Sequence, residues 1–297
     1  MDLRDENGWT EREFLERYRP AEYERPSVAA DMAIFTVSAA VEDNYRKLPE
    51  KELRVLLIQR GGHPDLGKWA LPGGFVRPDE TVEQAALREL KEETGVDRVY
   101  LEQLGVFSEV GRDPRTWVMS CAFLALADSS RLRLQAGDDA AHAAWFRVGY
   151  RLRREGKEYT PDGLVKKQQY ELSLTSELAE LNATVERTVT LTETSAEVGY
   201  AIVADGGLAF DHAKILACAV ERLRSRVNDS ALAFPLLPSE FTLTELQQVY
   251  EVILDKELLK AAFRRKVADL VEETDRYTEN AGHRPSRLYR RKLEALG

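Results

Sequence analysis

Residues 74–96 constrain the fold of this chain more than any other segment, because a glycine turn is followed there by a helix with both ends marked. Thr81 and Gln84 have the spacing of a capping box, which predicts that the helix begins after Thr81. Gly95 suits the left-handed conformation that commonly ends a helix. The apolar residues that we expect to anchor this helix to a sheet are Val82, Ala86 and Leu90.

Three glutamates share another side of the same helix. Glu89, Glu92 and Glu93 are related by three and four residues, so their carboxylates lie close together. Like charges repel, and a hard divalent cation such as Mg²⁺ would reverse the sign of this interaction. Arg88 lies four residues before Glu92 and is placed to hold that carboxylate through a paired hydrogen bond. The glycines before the helix let the backbone turn tightly and bring a carbonyl to the metal.

An acidic metal cage beside a glycine loop suits a substrate with bridged phosphates. The cation would neutralise the diphosphate and lower the pKa of an attacking water. A glutamate that is not fully committed to the metal could accept the proton. The alternative is an ordinary glutamate-rich surface helix after a glycine turn.

The same segment is similar to the Nudix box, Gly-x5-Glu-x7-Arg-Glu-(aliphatic)-x-Glu-Glu-x-Gly-(aliphatic), at every fixed and aliphatic position and without a gap. The resemblance implies an α+β fold, the Nudix αβα sandwich, and hydrolysis of a linked nucleoside diphosphate with Mg²⁺ or Mn²⁺. It implies that Glu89 and Glu93 bind the metal with the Gly74 carbonyl, and that Glu92 is a ligand or the base. The catalytic set is Arg88, Glu89 and Glu92, with the identity of the base left open.

Two neighbouring segments are candidates for binding the substrate. Arg112 and Arg115 suit diphosphate or ribose contacts, and Pro114 fixes their loop. This stretch resembles the Arg-Asp-Pro-Arg loop of Nudix proteins that handle ADP-ribose, although a charged turn has the same composition. Trp69 either stacks on a base or lies in the core. The predicted residues for ADP-ribose or a related compound are Trp69, Arg112, Asp113 and Arg115.

One position departs from the Nudix pattern. Many Nudix proteins carry an acidic residue three positions before a Trp-Phe pair, where it assists the metal or the water. The pair is Trp145-Phe146 here, and His142 occupies that position. A lone histidine is more often structural or solvated than catalytic, so His142 is not included in the catalytic set.

Changes of pattern divide the chain into four regions, which are 1–26, 27–150, 151–206 and 207–297. The first is an arm in which Phe14, Leu15 and Tyr18 lie on one side of a short helix, and we expect this side to dock on the body. The second is the Nudix domain. The third is a β-rich insertion of unknown role, with strands that form one or two hairpins added to the Nudix domain.

The fourth region is helical over 211–226, 242–254 and 256–270, and a hairpin is predicted within 272–290. A helix pair with a basic second helix and a basic wing can place a recognition helix in the major groove. A solvated cationic helix face would explain the same charges. The predicted DNA-binding residues are Lys260, Arg264, Arg265, Lys266, Arg284, Arg287 and Arg290.

The order of segments in the fourth region resembles the winged-helix half of the NrtR family of Nudix-related transcriptional regulators. The similar stretches are 208–212, 236–246 with 250–251, and 284–290. The resemblance implies a homodimer that binds double-stranded DNA and responds to ADP-ribose in the control of NAD metabolism. Two other interpretations stay open, a ligand-sensing repressor with little or no hydrolysis and a hydrolase whose tail only dimerises.

Composition excludes several other classes of protein. Hydrophobic residues form 43% and charged residues 31% of the chain, which is typical of a soluble globular protein. The longest apolar run, 121–127, is too short to cross a membrane, and the polar first residues do not resemble a signal peptide. Cys121 and Cys218 are too few for a zinc cluster or a disulfide framework. We therefore expect a cytoplasmic protein.

Overall fold

The computed structural model describes residues 3–39, 50–96, 99–132, 140–228, 231–278 and 285–293. Its α-helices are α1 Glu11–Arg17, α2 Val82–Thr94, α3 His212–Arg226, α4 Leu243–Leu254 and α5 Lys260–Val267. Its strands are β1 Ser27–Ala39, β2 Lys51–Arg60, β3 Trp69–Ala70, β4 Gly73–Phe75, β5 Tyr100–Phe107, β6 Val118–Leu126, β7 Ala140–Thr160, β8 Gly163–Thr175, β9 Glu180–Thr192, β10 Ala196–Ala204, β11 Val271–Tyr277 and β12 Arg287–Arg291. The predicted α+β fold is confirmed.

One large mixed sheet dominates the molecule, in the order β10-β9-β8-β7-β2-β1-β6-β5, with β3 paired to β2 and β4 to β1. The β1–β6 pair is parallel and the other pairs of this sheet are antiparallel. The strands expected within 151–206 are confirmed, and they extend this sheet. β7 runs without interruption through position 150, where the sequence pattern had changed.

Helices cover both faces of the sheet, as an αβα sandwich requires: α2 packs on one face, and α3 packs on the other with α4 beside it. Along β1 the side chains alternate between the faces, so Met32 and Ile34 pack in the cluster that contains Ala86 and Leu90 of α2. Ala33, Phe35 and Val37 pack in the cluster that contains α3. The main helix of the second layer is therefore α3, which lies in the region that the sequence analysis joined to the winged helix.

Helix α3 also reaches the C-terminal domain. Arg224, close to its C-terminal end, donates from Nε to the carbonyl of Ile253 in α4 at 3.0 Å. Its Nη1 donates to the carbonyl of Tyr150 in β7, also at 3.0 Å. One guanidinium thus joins α3, the sheet and the first helix of the winged helix.

The winged helix consists of α4, α5 and the β11–β12 hairpin, which confirms the hairpin expected within 272–290. The helix predicted over 256–270 is shorter, because Asp255 ends α4 in the left-handed conformation with φ 53°. The Glu251 carboxylate then accepts the Leu258 amide at 2.8 Å, which keeps the following residues in a turn. Phe241 and Tyr289 exchange backbone hydrogen bonds of 3.0 and 2.8 Å, which join the wing to the start of α4.

The N-terminal arm forms its predicted helix, but the expectation that it docks on the body is wrong. Phe14, Leu15 and Tyr18 remain 43%, 62% and 38% exposed. The helix is stabilised locally by the Thr10 capping box. The Tyr18 ring lies 5.7 Å from Phe14 and 5.5 Å from Tyr23, measured between centroids, so the aromatic residues contact one another instead of the sheet.

No helix among the described residues is both long enough and apolar enough to span a membrane.

Candidate functional site

A cavity of about 1130 Å³ lies between α2, the β5–β6 loop and the beginning of α3. Its acidic side contains Glu89, Glu92 and Glu93, and Gly73 and Gly74 of β4 also line it. Arg60, Arg115 and Phe210 also line the cavity. The volume and the mixture of acidic, basic and aromatic groups suit a nucleotide-sized ligand.

The helix that carries the glutamates is held at both ends as the sequence predicts. The amide of Gln84 donates to Oγ1 of Thr81 at 3.2 Å, and the amide of Thr81 donates to Oε1 of Gln84 at 2.8 Å. Gly95 ends the helix with φ 71°. Ala86 and Leu90 are fully buried, and the acidic side consequently faces the cavity.

Arg88 is bound differently from the prediction. Its Nε and Nη2 donate to the two carboxylate oxygens of Glu80 at 3.0 and 2.8 Å. Nη1 donates to Glu89 at 2.5 Å and stays 3.5 Å from Glu92. The paired hydrogen bond therefore goes to Glu80, and the paired hydrogen bond expected with Glu92 is wrong, although Arg88 and Glu92 keep an ion pair at 3.5 Å. The reason is that the Glu80 side chain, ahead of the helix, meets the planar edge of the guanidinium.

This pairing changes the electrostatics of the acidic side. The hydrogen bonds from Arg88 lower the pKa of Glu80 from 4.5 to about 2. Arg88 also neutralises part of the charge of Glu89. Repulsion among the glutamates is thus already reduced by an internal cation, and repulsion alone is a weaker argument for a metal than the sequence suggested.

The chemistry of the donors nevertheless fits a hard divalent cation. Glu93 is buried with 6% of its surface exposed, and a Cβ at Gly74 would overlap the carboxylate of Glu89. The loop backbone and Glu89 are therefore in direct contact, which gives carboxylate and carbonyl oxygens in one place. Across the described ranges, no three acidic, histidine or cysteine side chains converge as a finished metal site, since Glu89 is turned toward Arg88.

Arg112 lines the cavity, but its charge is paired with carboxylates of the protein itself. The guanidinium is 5% exposed and donates to both oxygens of Asp211 at 2.6 and 3.0 Å. It also lies 3.6 Å from Asp31. Burial acts to lower the pKa of Arg112, and the Asp211 carboxylate outweighs it, so the pKa is raised. The pair ties the β5–β6 loop to the start of α3.

Asp113 and Arg115 form a second pair at the cavity. The Asp113 carboxylate is buried and accepts the Arg115 amide at 2.9 Å and its guanidinium at 2.7 and 3.0 Å. The Arg115 side chain remains 45% exposed. Its Cζ lies 5.4 Å from the centre of the Phe75 ring and 5.8 Å from that of Phe210. Asp113 therefore positions Arg115, which is the more accessible of the two loop arginines.

Trp69 was the open choice between a base platform and a core residue, and the structure places it in the core. It is 5% exposed, and its ring lies edge-on to Phe146 with 4.7 Å between centroids. It is absent from the cavity wall. The substrate-stacking role predicted for Trp69 is corrected accordingly, because β3 pairs with β2 and directs this ring into the sandwich.

Several cavity residues were missed by the sequence reasoning. His212 is buried and its Nδ1 accepts the Leu71 amide at 2.8 Å. Burial lowers the pKa of His212, so its ring is neutral. Phe210 and His212 belong to the stretch 208–212, whose resemblance was noted only for the winged helix. Their place in the cavity could not be read from periodicity, since it depends on α3 returning to the sheet.

The basic groups of the winged helix are divided between two elements. Lys260, Arg264 and Arg265 are exposed on α5 and make no salt bridge with any carboxylate of the described residues. Lys266 donates to Oδ1 of Asn228 at 2.6 Å. In the wing, Arg287 contacts Glu273, and Arg290 donates to Glu272 at 2.5 Å. Arg284 lies outside the described residues.

Comparison with known proteins agrees with this arrangement. The chain matches the NUDIX domain family over residues 35–167 and the NrtR DNA-binding winged helix domain family over residues 233–291. It is 42% identical to an ADP-ribose pyrophosphatase of Methanocaldococcus jannaschii over 132 residues, which covers 44% of this chain and 67% of that protein.

Two relatives match over nearly the whole chain. One is the ADPR responsive transcriptional repressor NtrR of Acinetobacter baylyi, 33% identical over 97% of this chain and 91% of its own length. The other is the crystal structure of Shewanella oneidensis NrtR complexed with a 27mer DNA. Its TM-score is 0.55 and its identity 30%, and the match covers 89% of this chain and 93% of that one. This chain belongs to the NrtR family, in which a Nudix domain is joined to a C-terminal winged helix.

Proposed function

We propose that this protein is a DNA-binding transcriptional repressor that is controlled by ADP-ribose, and that its Nudix domain also hydrolyses this nucleotide. The observation that carries the proposal is the presence, in one chain, of a cavity lined by residues of the Nudix box and of a winged helix with an exposed basic face. The named functions of the Acinetobacter and Methanocaldococcus relatives support the same ligand for both halves.

The residues of α2 divide the hydrolytic work. Glu89 and Glu93, with the carbonyl of Gly74, would hold Mg²⁺ or Mn²⁺, which polarises the diphosphate and acidifies a water when bound. Arg88 fixes the orientation of Glu89 through its 2.5 Å hydrogen bond. Glu92 is 52% exposed, and its contact with Arg88 is long, at 3.5 Å. It is therefore the carboxylate least committed to other partners and the best placed to accept a proton from the water.

Hydrolysis is tested with purified protein, ADP-ribose and Mg²⁺. Attack of water on the diphosphate should release AMP and ribose 5-phosphate, which chromatography separates. Glu93→Gln should abolish the products, whereas Glu83→Gln, an exposed glutamate in the first turn of the same helix, should retain them. Absence of product from the wild type with ADP-ribose and other nucleoside diphosphate compounds would refute hydrolysis.

DNA binding is tested by gel shift on the region upstream of the protein's own operon. Binding should weaken with rising salt, because phosphate contacts release counterions. Arg264→Ala with Arg265→Ala should reduce the slope of log K against log salt by about 1.8, at ~0.9 per lost phosphate contact. Arg12→Ala, which alters an exposed arginine of α1, is the matched control. No shift at low salt would favour a tail that only dimerises.

We also propose that the protein acts as a homodimer, since winged-helix proteins commonly read two half-sites related by a two-fold axis. Sedimentation should then give twice the chain mass of 33.7 kDa. A mass of 33.7 kDa at working concentration would contradict this proposal.

A repressor that binds ADP-ribose without hydrolysing it is the second candidate. It is favoured by His142, which is exposed in β7 opposite Gln59, at the position where many Nudix proteins carry an acid. Calorimetry with ADP-ribose separates the two candidates. Binding without product supports the sensor, and binding with product supports the regulated hydrolase.

A further inference from the structure

The backbone at Phe210 is held in a conformation that a phenylalanine rarely adopts. Its φ is +50°, in the left-handed region, immediately before α3. The Phe210 amide donates to Oδ2 of Asp65 at 3.0 Å, and Asp65 itself has φ +58°. Two unusual residues from distant parts of the chain thus support each other at the cavity. Such conformations persist where the surroundings enforce them, and they cluster at ligand sites.

The Phe210 ring is also fixed by charged neighbours. The Cζ of Arg60 lies 4.8 Å from the ring centre, within cation–π distance. Nε of Arg60 donates to the Pro64 carbonyl at 2.8 Å, which holds that guanidinium in place. Arg115 lies farther away, at 5.8 Å, and is 45% exposed. The ring therefore contacts one cation that is held in place, Arg60, and one that is more accessible, Arg115.

Phe210 comes from a different element of the chain than the residues assigned to the phosphate chemistry. The acidic residues and the glycine loop belong to α2 and β4, whereas Phe210 enters from the segment that precedes α3. Phe75, the other phenyl ring on the wall, belongs to β4 itself, and its carbonyl accepts a long hydrogen bond of 3.3 Å from Arg88. Phe210 is thus the phenyl ring of the cavity that comes from neither α2 nor β4.

From this geometry we infer that Phe210 is a ligand-binding residue, whose ring stacks on the nucleobase of the nucleotide. The inference rests on the proposed function, since it concerns the same cavity. Stacking on an aromatic ring is favourable for every base, and a ring held by a strained backbone and a fixed guanidinium is ordered before the ligand arrives. The diphosphate then extends from Phe210 toward α2.

The test compares two ligands that resist hydrolysis. One is α,β-methylene ADP-ribose and the other is ribose 5-methylenediphosphonate, which lacks the adenosine half. Calorimetry measures both with the wild type and with Phe210→Leu, which keeps a Cβ at the strained position but removes the ring. We expect Phe210→Leu to weaken the base-containing ligand about 10-fold, the loss of one stacking contact. Binding of the base-free ligand should not change.

Two further variants isolate the ring. Phe210→Tyr should keep the wild-type ratio of the two affinities, and Phe75→Leu, which removes the other phenyl ring, should leave that ratio unchanged as well. An equal loss for both ligands in Phe210→Leu would show a purely structural role and overturn the inference. A changed ratio in Phe75→Leu alone would place the base on Phe75. If the wild type binds neither ligand, the proposed function itself fails.

Discussion

Replacing Arg112 by methionine is the most informative test of how the cavity is assembled. The guanidinium is 5% exposed, and it donates two hydrogen bonds of 2.6 and 3.0 Å to Asp211, whose side chain is 10% exposed. Arg112→Met leaves Asp211 and the neighbouring Asp31 without their cation in a site that water barely reaches. Removing one partner of a buried pair costs about 3–5 kcal/mol. We therefore expect the free energy of unfolding to fall by about 3 kcal/mol or more.

The assay is urea denaturation followed by circular dichroism, supported by the apparent Tm. A loss of about 3 kcal/mol corresponds to a Tm lower by roughly 6–12 °C. Arg222→Met is the matched control, because its partner pair with Glu102 is partly open to solvent and Arg222 is 34% exposed. That control should cost about 1 kcal/mol or less.

A double variant gives the result that could refute the reasoning. Arg112→Met with Asp211→Leu removes both members of the pair and leaves only the more distant Asp31, at 3.6 Å, without this cation, so it should destabilise the protein less than Arg112→Met alone. Asp211→Leu alone completes the comparison. If Arg112→Met lowers the free energy of unfolding by under about 1 kcal/mol, or if the loss in the double variant equals the sum of the losses in Arg112→Met and Asp211→Leu, the pair is not the buried link described above.

Three other outcomes are expected. Gly74→Ala should displace the Glu89 carboxylate and reduce the initial rate of hydrolysis at least about 10-fold. Its urea midpoint should change little, because the side chain that must move is flexible. Glu80→Gln should be less stable than the wild type at neutral pH, and urea midpoints should show the difference vanishing as pH falls from about 4.5 to about 2, since Arg88 stabilises only the ionised Glu80. Burial lowers the pKa of His212, so the wild type should lose stability below about pH 6.5, by up to about 1.4 kcal/mol per pH unit, as the unfolded chain takes up that proton. His212→Gln should lack that part of the slope in urea titrations between pH 8 and 5.5, and an unchanged slope would contradict the assignment.

Local signals predicted the helix of the Nudix box well. Thr81, Gln84 and Gly95 form its ends through contacts within a few residues, so the sequence contains all the information needed. The strands and the wing were likewise predictable from alternation and turns. The direction in which Ala86 and Leu90 pack followed from helical period alone.

The pairing of charges was less predictable, because it depends on contacts that spacing does not encode. Arg88 and Glu92 have the spacing of a helical ion pair, yet Glu80 binds the guanidinium from outside the helix. Arg112 was expected to face a phosphate, and a residue 99 positions later binds it. The competition between partners is decided by tertiary structure, and the same applies to Trp69, whose ring direction depends on strand pairing.

Helix α3 spans two regions that the sequence pattern had grouped otherwise. Its fifteen residues extend over roughly 22 Å, at 1.5 Å per residue. Its N-terminal end borders the cavity, and Arg224 near its C-terminal end donates a hydrogen bond to α4. A hydrogen-bonded helix bends little over about four turns, so a displacement of its beginning at the cavity would also displace its end beside α4. The cavity and the winged helix are consequently coupled through one helix. A flexible linker between them would not couple their movements.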